Sequence, residues 1–520
     1  MKLQITSLLI ILSSLFVHAQ PMSTQEIDML VASTMEIFDV PGIGVAVLKD
    51  GEVVHMKGHG VRSLDSKLPV NEHTLFGIAS NSKAFTAAAL GILVEEKKVS
   101  WNDRVIDYIP EFRLYDPYVT QDFRIRDLLC HRSGMGLGAG DLMIWPDGTD
   151  FSREDVIHNL KYLKQVSPFR TKYDYDNLLY IVAGEIIGKV SGTSWEEFIE
   201  TRILKPLKMT SSAASFNRLS DASNVIAPHG RVEGVVQVVS RTTSELMNAA
   251  GGIYSSVYEM SKWADYLLKQ SKNQSDKPII TSRTIQELWS PQTIIPVRNP
   301  GSYNTHFSAY GLGFRLADEK GYKVISHTGG LAGMVTKMTL IPELDLAIIV
   351  FTNQQVGAAF SAITNQIKDA YFGIRDVNWV KRYEAAANMS TSNAKNQVEK
   401  VWQQIEQNNK VSESPGNRVT ESPINRITGT YKDPWFGEIT ISNKNGQLFF
   451  LASRSPGLDG EIFWYKGNTY VVKWKDRSMD ADAFILFTLD INAHPAGFTM
   501  KAISPLTDFS YDFHDLNFRK

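Results

Sequence analysis

The chain has 520 residues, 54 of them Lys or Arg and 56 Asp or Glu, for a formal charge of −2. That balance gives no field to attract nucleic acid or an anionic membrane surface, and 43% hydrophobic against 21% charged residues excludes a disordered polymer. At roughly 150 residues per domain the length predicts more than one domain. A lone cysteine, Cys130, excludes an intrachain disulfide and a cysteine-based zinc cluster.

Lys2, the apolar run 5–17 and Val17-His18-Ala19 read as an export signal over 1–19, cut before Gln20. A periplasmic or secreted mature protein is therefore expected, without stable membrane insertion, because the run is too short to span a bilayer. Next comes an amphipathic helix, with Ile27, Leu30, Val31, Met35 and Phe38 at helical spacing and Pro41-Gly42 as its stop. The runs 43–47 and 53–56 flank Lys49-Asp50-Gly51 and predict a hairpin. Residues 82–96 predict a helix apolar on most of its surface and hence buried. The pattern from 101 to about 326 is mainly helical, with long loops rich in Gly, Asp and Pro. Strands return at 334–341 and 346–352, split by Pro342-Glu343-Leu344-Asp345, and a helix over 360–372 closes the unit. Strands at both ends with helices between them fit an α+β domain whose sheet is completed late in the chain.

Composition changes after about 385. Val398, Val401, Trp402 and Ile405 mark a helix, and 408–422 is polar with Ser-Pro twice, a linker and an expected site of proteolysis. From Ile427 onward six short strands predict an all-β sandwich or small barrel. The expected division is 1–19 signal, 20–385 first domain, 386–422 helix and linker, and 423–520 β domain.

Two Ser-x-x-Lys tetrapeptides occur, Ser80-Asn81-Ser82-Lys83 and Ser392-Asn393-Ala394-Lys395, about the number chance supplies, so context decides. Ser392 lies in a polar stretch and reads as a helix cap. Ser80 lies where an extended segment meets the buried helix, with Lys83 one turn on. Desolvation lowers a lysine pKa and makes it a base for a neighbouring hydroxyl; the bland alternative is a capping serine beside a snorkelling lysine. In Tyr175-Asp176-Asn177, an extended backbone would turn Tyr175 and Asn177 toward one cleft. His327-Thr328-Gly329-Gly330 opens a strand whose glycines let backbone approach a ligand and donate to an oxyanion, or else mark a glycine bulge. Cys130-His131 is a weak dyad, since adjacent side chains rarely face each other. His55 and His59 form a lone pair with no third ligand in view. No HExxH, GxSxG or Walker-type loop occurs.

In order and spacing the three motifs resemble those of the serine β-lactamase and penicillin-binding-protein family, in particular its class C-related serine hydrolases with D-peptidase and esterase members. The segments Leu128 to Gly134, Ala250 to Ser256, Tyr310 to Gly313 and His327 to Asn353 support the resemblance, which spans about 29–371. It implies an antiparallel sheet flanked by helices plus a helical subdomain. It also implies Ser80 as acylated nucleophile, Lys83 as its proton partner, and Tyr175 as general base or as the deacylating base with Lys83. Asn177 would hold a substrate amide, and the N–H groups of Ser80 and Gly330 would form the oxyanion hole. His327 would face the anionic end of a substrate, where most β-lactamases carry lysine, so the resemblance shifts toward D-peptidases and esterases. Through Gly429-Thr430-Tyr431 and Phe436-Gly437, the terminal β domain resembles the accessory domain that often trails such hydrolases.

The expected activity is hydrolysis of a small-molecule, peptide or ester substrate with an ester, D-amino-acid amide or lactam carbonyl, with no cofactor and no metal. The rivals are a penicillin- or cell-wall-binding protein that is acylated without turnover, and a binding module in the β domain on an inert scaffold. All three motifs precede residue 331, so a chain ending near Asn408 is expected to fold and be acylated.

Overall fold

The computed structural model describes residues 21–275, 278–412 and 426–520. The expected export signal and positions 413–422 of the expected linker lie outside the described residues.

Helix α1 (Thr24–Phe38) starts at a capping box, in which Ser23 Oγ accepts from the Glu26 N–H and the Glu26 carboxylate accepts from the Ser23 N–H. Two donors that a helix start leaves open are thereby satisfied. The hairpin follows as β1 (Gly42–Lys49) and β2 (Glu52–Gly60), joined through Asp50 and Gly51 at φ 54° and 77°. Two consecutive positive φ values are what a type I′ turn needs.

Six later strands extend this hairpin: β3 (Thr293–Ile295), β4 (Ser308–Tyr310), β5 (Arg315–Glu319), β6 (Tyr322–Leu331), β7 (Met334–Ile341) and β8 (Leu346–Thr352). All neighbours are antiparallel, in the order β2-β1-β8-β7-β6-β5-β4-β3. The late strand β8 pairs with β1, Val45 opposite Val350, which closes the sheet as expected. Every residue of β8 is buried, because both faces of the sheet are covered. Ala347, Ile349 and Phe351 enter one core with α2 (Ser82–Glu95), α3 (Leu178–Ser191) and α4 (Val257–Ser271). Ile348 and Val350 enter the other with α1 and α5 (Gly357–Phe372).

Helix α6 (Trp379–Ser412) is 34 residues long, so the boundary expected after 385 falls inside it. Trp379, Val380 and Ala387 pack with the α1/α5 core, whereas Val398, Val401, Trp402 and Ile405 pack on Val471 and Ile503 of the β domain. The linker expected from Asn408 is still helix at its start, and Asn408 Nδ2 donates to the Tyr465 carbonyl at 2.7 Å. Ser392 is an exposed residue inside α6 and not a cap.

The β domain is a closed barrel of β9 (Gly429–Asp433), β10 (Gly437–Lys444), β11 (Gln447–Ala452), β12 (Asp459–Lys466), β13 (Thr469–Trp474), β14 (Ala483–Leu489), β15 (Pro495–Ala502) and β16 (Asn517–Arg519). Six of the eight are the expected strands. The other two, β9 and β16, are short and charged, and they close the barrel by pairing Lys432 with Arg519.

Candidate active site

Ser80 sits in a 3-10 turn, Ala79–Asn81, between the short strand Phe76–Gly77 and α2. Ala79 holds φ at 51°, a left-handed backbone that costs a non-glycine residue about 1–3 kcal/mol. Neighbouring contacts over-determine it. The Ile78 N–H donates to Ile253 O at 2.9 Å, Ile78 O accepts from Thr336 Oγ1 at 2.9 Å, and Ser82 Oγ accepts from the Ile253 N–H at 3.1 Å.

Lys83 is fully buried on α2, which removes the snorkelling alternative. Its Nζ donates to Ser80 Oγ at 3.2 Å, Asn177 Oδ1 at 2.8 Å and Ala250 O at 2.9 Å, using all three ammonium protons. Burial lowers its pKa to about 7, against the opposing pull of Asp141 and Asp176. Near neutral pH much of Lys83 is free amine, with a lone pair within reach of the Ser80 proton.

Asn177 does not continue an extended segment from Tyr175; it caps α3 with φ −97° and ψ −33°. Its amide is committed at both ends, Oδ1 to Lys83 and Nδ2 to Asp141 Oδ2 at 2.7 Å. Asn177 thus orients Lys83, and one amide proton is left over for a substrate. The Tyr175 ring lies 4.8 Å from Lys83 Nζ. Burial pushes the pKa of its hydroxyl well above the usual phenol value, against the opposing influence of the neighbouring Ser80 side chain. Tyr175 is therefore a proton-holding phenol at neutral pH.

Strand β6 pairs with β7 over 325–331 but with β5 only over 322–326, so one backbone edge of 327–331 is unpaired by strand. A Cβ on Gly329 would stand 2.2 Å from Ile78 O and 2.9 Å from Ala79 Cβ, so only glycine lets this edge lie against the nucleophile turn. Gly330 has open space where a side chain would be. This lays an unpaired backbone edge against the Ile78–Ala79 turn that precedes Ser80.

His327 departs from expectation. It is buried, with Nε2 2.6 Å from the Tyr310 hydroxyl and Nδ1 2.6 Å from Thr328 O. Nδ1–H donates to the carbonyl, Nε2 accepts from the phenol, and neither nitrogen is left for a substrate carboxylate. Burial, reinforced by the Lys83 charge, lowers its pKa to about 3. The imidazole is therefore neutral in the physiological range.

The cleft does not belong to the first domain alone, as the motif positions suggest. Asp141 Oδ2 accepts from both Asn177 and, at 2.8 Å, the Ser510 hydroxyl of the β domain. Asp512 accepts from the Gly140 N–H at 2.6 Å and the Leu142 N–H at 3.1 Å, pinning the loop that carries Asp141. The Phe509 ring meets Tyr175 edge-on at 5.8 Å, and its carbonyl would be 2.6 Å from a Cβ on Gly138. Burial pushes the Asp141 pKa up to about 8, against the two hydrogen bonds it accepts. Sequence reasoning missed Asp141, Tyr310, Phe509, Ser510 and Asp512. Only Tyr310 carried a signal, at the head of its Tyr-Gly-Leu-Gly segment. An open cleft of about 850 Å³ between Tyr162 to Val166 and the barrel holds none of these groups.

The weaker candidates resolve simply. Burial pushes the Cys130 thiol up to about 12, and the His131 ring lies tilted 4.1 Å from that of Tyr175 with Nδ1 accepting from the Asp176 N–H, so the two form no dyad. His55 and His59 do have a third neighbour, Asp28 of α1.

A buried lysine beside a serine, under a glycine-bearing strand edge, defines a serine hydrolase of the β-lactamase fold. The chain belongs to the Beta-lactamase family, whose model matches residues 27–371. Residues 413–520 match a domain of unknown function, DUF3471. An unguisins hydrolase from Aspergillus campestris is 29% identical over 378 residues, covering 69% of this chain and 68% of that protein. Protein flp from Staphylococcus aureus is 26% identical over 334 residues, covering 64% and 63%. Among solved structures, the octameric penicillin-binding protein homologue from Pyrococcus abyssi aligns with a TM-score of 0.61 at 21% identity, over 96% of this chain and 100% of that one. A D-amino acid amidase from Ochrobactrum anthropi SV3 aligns at 0.53 and 22% identity, over 68% and 99%.

Proposed function

We propose that the protein is an exported serine hydrolase that cleaves amides and esters, D-amino-acid amides and peptides foremost, through an acyl-enzyme on Ser80. The observation that carries this reading is Lys83, fully buried, lowered to about 7 and 3.2 Å from Ser80 Oγ. As free amine it takes the hydroxyl proton while Oγ bonds to the carbonyl carbon. The N–H groups of Ser80 and Gly330 receive the oxyanion. Tyr175, held as a phenol, passes a proton to the leaving nitrogen or oxygen and recovers one from Lys83. Water then adds to the acyl carbon and releases Ser80.

The neutral His327 supports amides and esters over penicillin-like substrates, because it offers no charge to a carboxylate. The names of the unguisins hydrolase and the D-amino acid amidase point the same way. Export rests on the apolar run 5–17, and a periplasmic or secreted location follows from it.

The test is intact-mass analysis after exposure to a fluorophosphonate, alongside turnover of D-phenylalanine amide, a p-nitrophenyl ester and a chromogenic cephalosporin. One adduct is expected on the wild type and on Ser392→Ala, and none on Ser80→Ala. An adduct that survives in Ser80→Ala overturns the nucleophile. An acyl adduct that forms from every substrate and never turns over makes the protein a covalent binder instead.

A further inference from the structure

On the sheet face opposite α2, four buried polar atoms gather without hydrogen-bond partners: Asp28 Oδ1, His55 Nδ1, His55 Nε2 and His59 Nε2. Each such atom ordinarily costs folding free energy, so a cluster of them calls for a ligand. The His55 side chain is 0% exposed and that of His59 10%. Asp28 Oδ1 stands 3.9 Å from His55 Nε2 and 3.6 Å from His59 Nε2, too far for hydrogen bonds.

We infer that Asp28, His55 and His59 form a binding site for a divalent transition metal of the zinc class, which fastens α1 to the edge strand β2. The three ligand atoms lie within 4.8 Å of one another. Bonds of about 2.0–2.2 Å in tetrahedral geometry set donors about 3.3 Å apart, so small side-chain rotations close the site. Two imidazoles and one carboxylate are borderline donors that suit zinc over magnesium or calcium. Lys57 donates to Asp28 Oδ2 at 2.7 Å, which orients the carboxylate and leaves Oδ1 as its single free donor. The ammonium itself is half-exposed, so solvent screens its charge from the metal. Among the described residues no hydrogen bond occupies His55 Nδ1, His55 Nε2 or His59 Nε2, so each ring has a nitrogen open to a ligand. The part-exposed Asp28 marks the side on which water would fill the fourth position.

The sequence alone gave no reason to expect this. His55 and His59 are on β2 and the carboxylate comes from α1, which the fold lays across that strand. The site is remote from Ser80 and independent of the hydrolase reading.

The test uses the untagged full-length chain, stripped with EDTA, dialysed, and titrated with zinc sulfate by calorimetry and with cobalt chloride by absorbance. One equivalent per chain, tetrahedral cobalt bands and a rise in Tm are expected. His59→Gln and Asp28→Asn should each weaken zinc binding at least about a hundredfold, whereas His73→Gln should not change it. His59 and Asp28 are substituted because the fully buried His55 risks the fold. Binding well below one equivalent, or binding that both substitutions leave intact, overturns the site.

Discussion

The Ser510 hydroxyl and the Asp141 carboxylate, 369 residues apart in the chain, meet at 2.8 Å beside the amide that holds Lys83. Asp141 shares the accepting oxygen with Asn177, and Asn177 holds Lys83, so a barrel side chain reaches the proposed general base through two others. Ser510→Ala removes a bond that lowers the Asp141 pKa. Asp141 then rises further and carries less charge at neutral pH, and Lys83 loses part of the pull that keeps it protonated. The acid limb of the acylation rate should move to lower pH, with a stability loss of about 1–2 kcal/mol. A pH–rate profile and a urea titration of the variant check both.

In the proposed mechanism the working form of Lys83 is the amine. Its fraction grows as pH rises through about 7, so acylation by a neutral amide or fluorophosphonate should climb there and then level off. A rate that falls across this window would mean that the ammonium is the working form. Lys83→Met should lose the limb and about 10²–10⁴ of the rate.

His327 should be silent between pH 5.5 and 8, since its pKa is lowered to about 3. Nitrogen NMR should find one neutral tautomer, with the proton on Nδ1, across the whole range. Tyr310→Phe leaves Nε2 without its donor in a buried setting and should cost about 1–3 kcal/mol of stability. If a substrate bears a carboxylate, the cation to meet it is Arg315, which donates to the Tyr173 hydroxyl at 3.4 Å and bears electrostatically on His327. Arg315→Gln should raise KM for carboxylate-bearing substrates about tenfold and leave neutral amides unchanged.

Ending the chain near Asn408 removes Phe509, Ser510 and Asp512 together. The Gly140 and Leu142 N–H groups lose their acceptor, and the loop bearing Asp141 loses its anchor. Fluorophosphonate labelling of the truncated protein should fall at least about tenfold even where circular dichroism shows it folded. Asp512→Ala in the full chain should reproduce that loss at a cost of about 2–4 kcal/mol, as expected for two orphaned buried donors. Full-rate labelling of a folded truncation would return the cleft to the first domain alone.

What the sequence made legible was local. The turn at Asp50-Gly51, the continuous apolar run of β8 and the apolar surface of α2 each carry their signal within a few residues, and each formed as expected. Ser80 and Lys83 were legible for the same reason, since one helical turn joins them. Asp141 was not, because its meaning lies in Ser510 and Asn177, and no periodicity marks a pairing across 369 residues. The motif does not reveal the role of His327, because its partner Tyr310 lies two strands away and a burial that keeps an imidazole neutral has no mark in four residues. For Asn177 the sequence suggests an extended residue because a helix cap and a strand residue look alike beside an aromatic.

Helix α6 gives the two domains a common ruler. At 1.5 Å of rise and 100° of turn per residue, the stretch between Ala387 and Val398 fixes how far apart, and at what rotation, its two apolar stripes meet their partners. The depth at which Phe509 and Ser510 enter the cleft is therefore gauged by a residue count in a largely exposed stretch of helix that does not touch Ser80. One residue added there would swing the barrel by about 100° relative to the sheet, while a whole-turn addition of seven residues would nearly restore the angle and push the barrel about 10 Å away. Shape at the catalytic centre is, in this protein, partly a matter of length elsewhere.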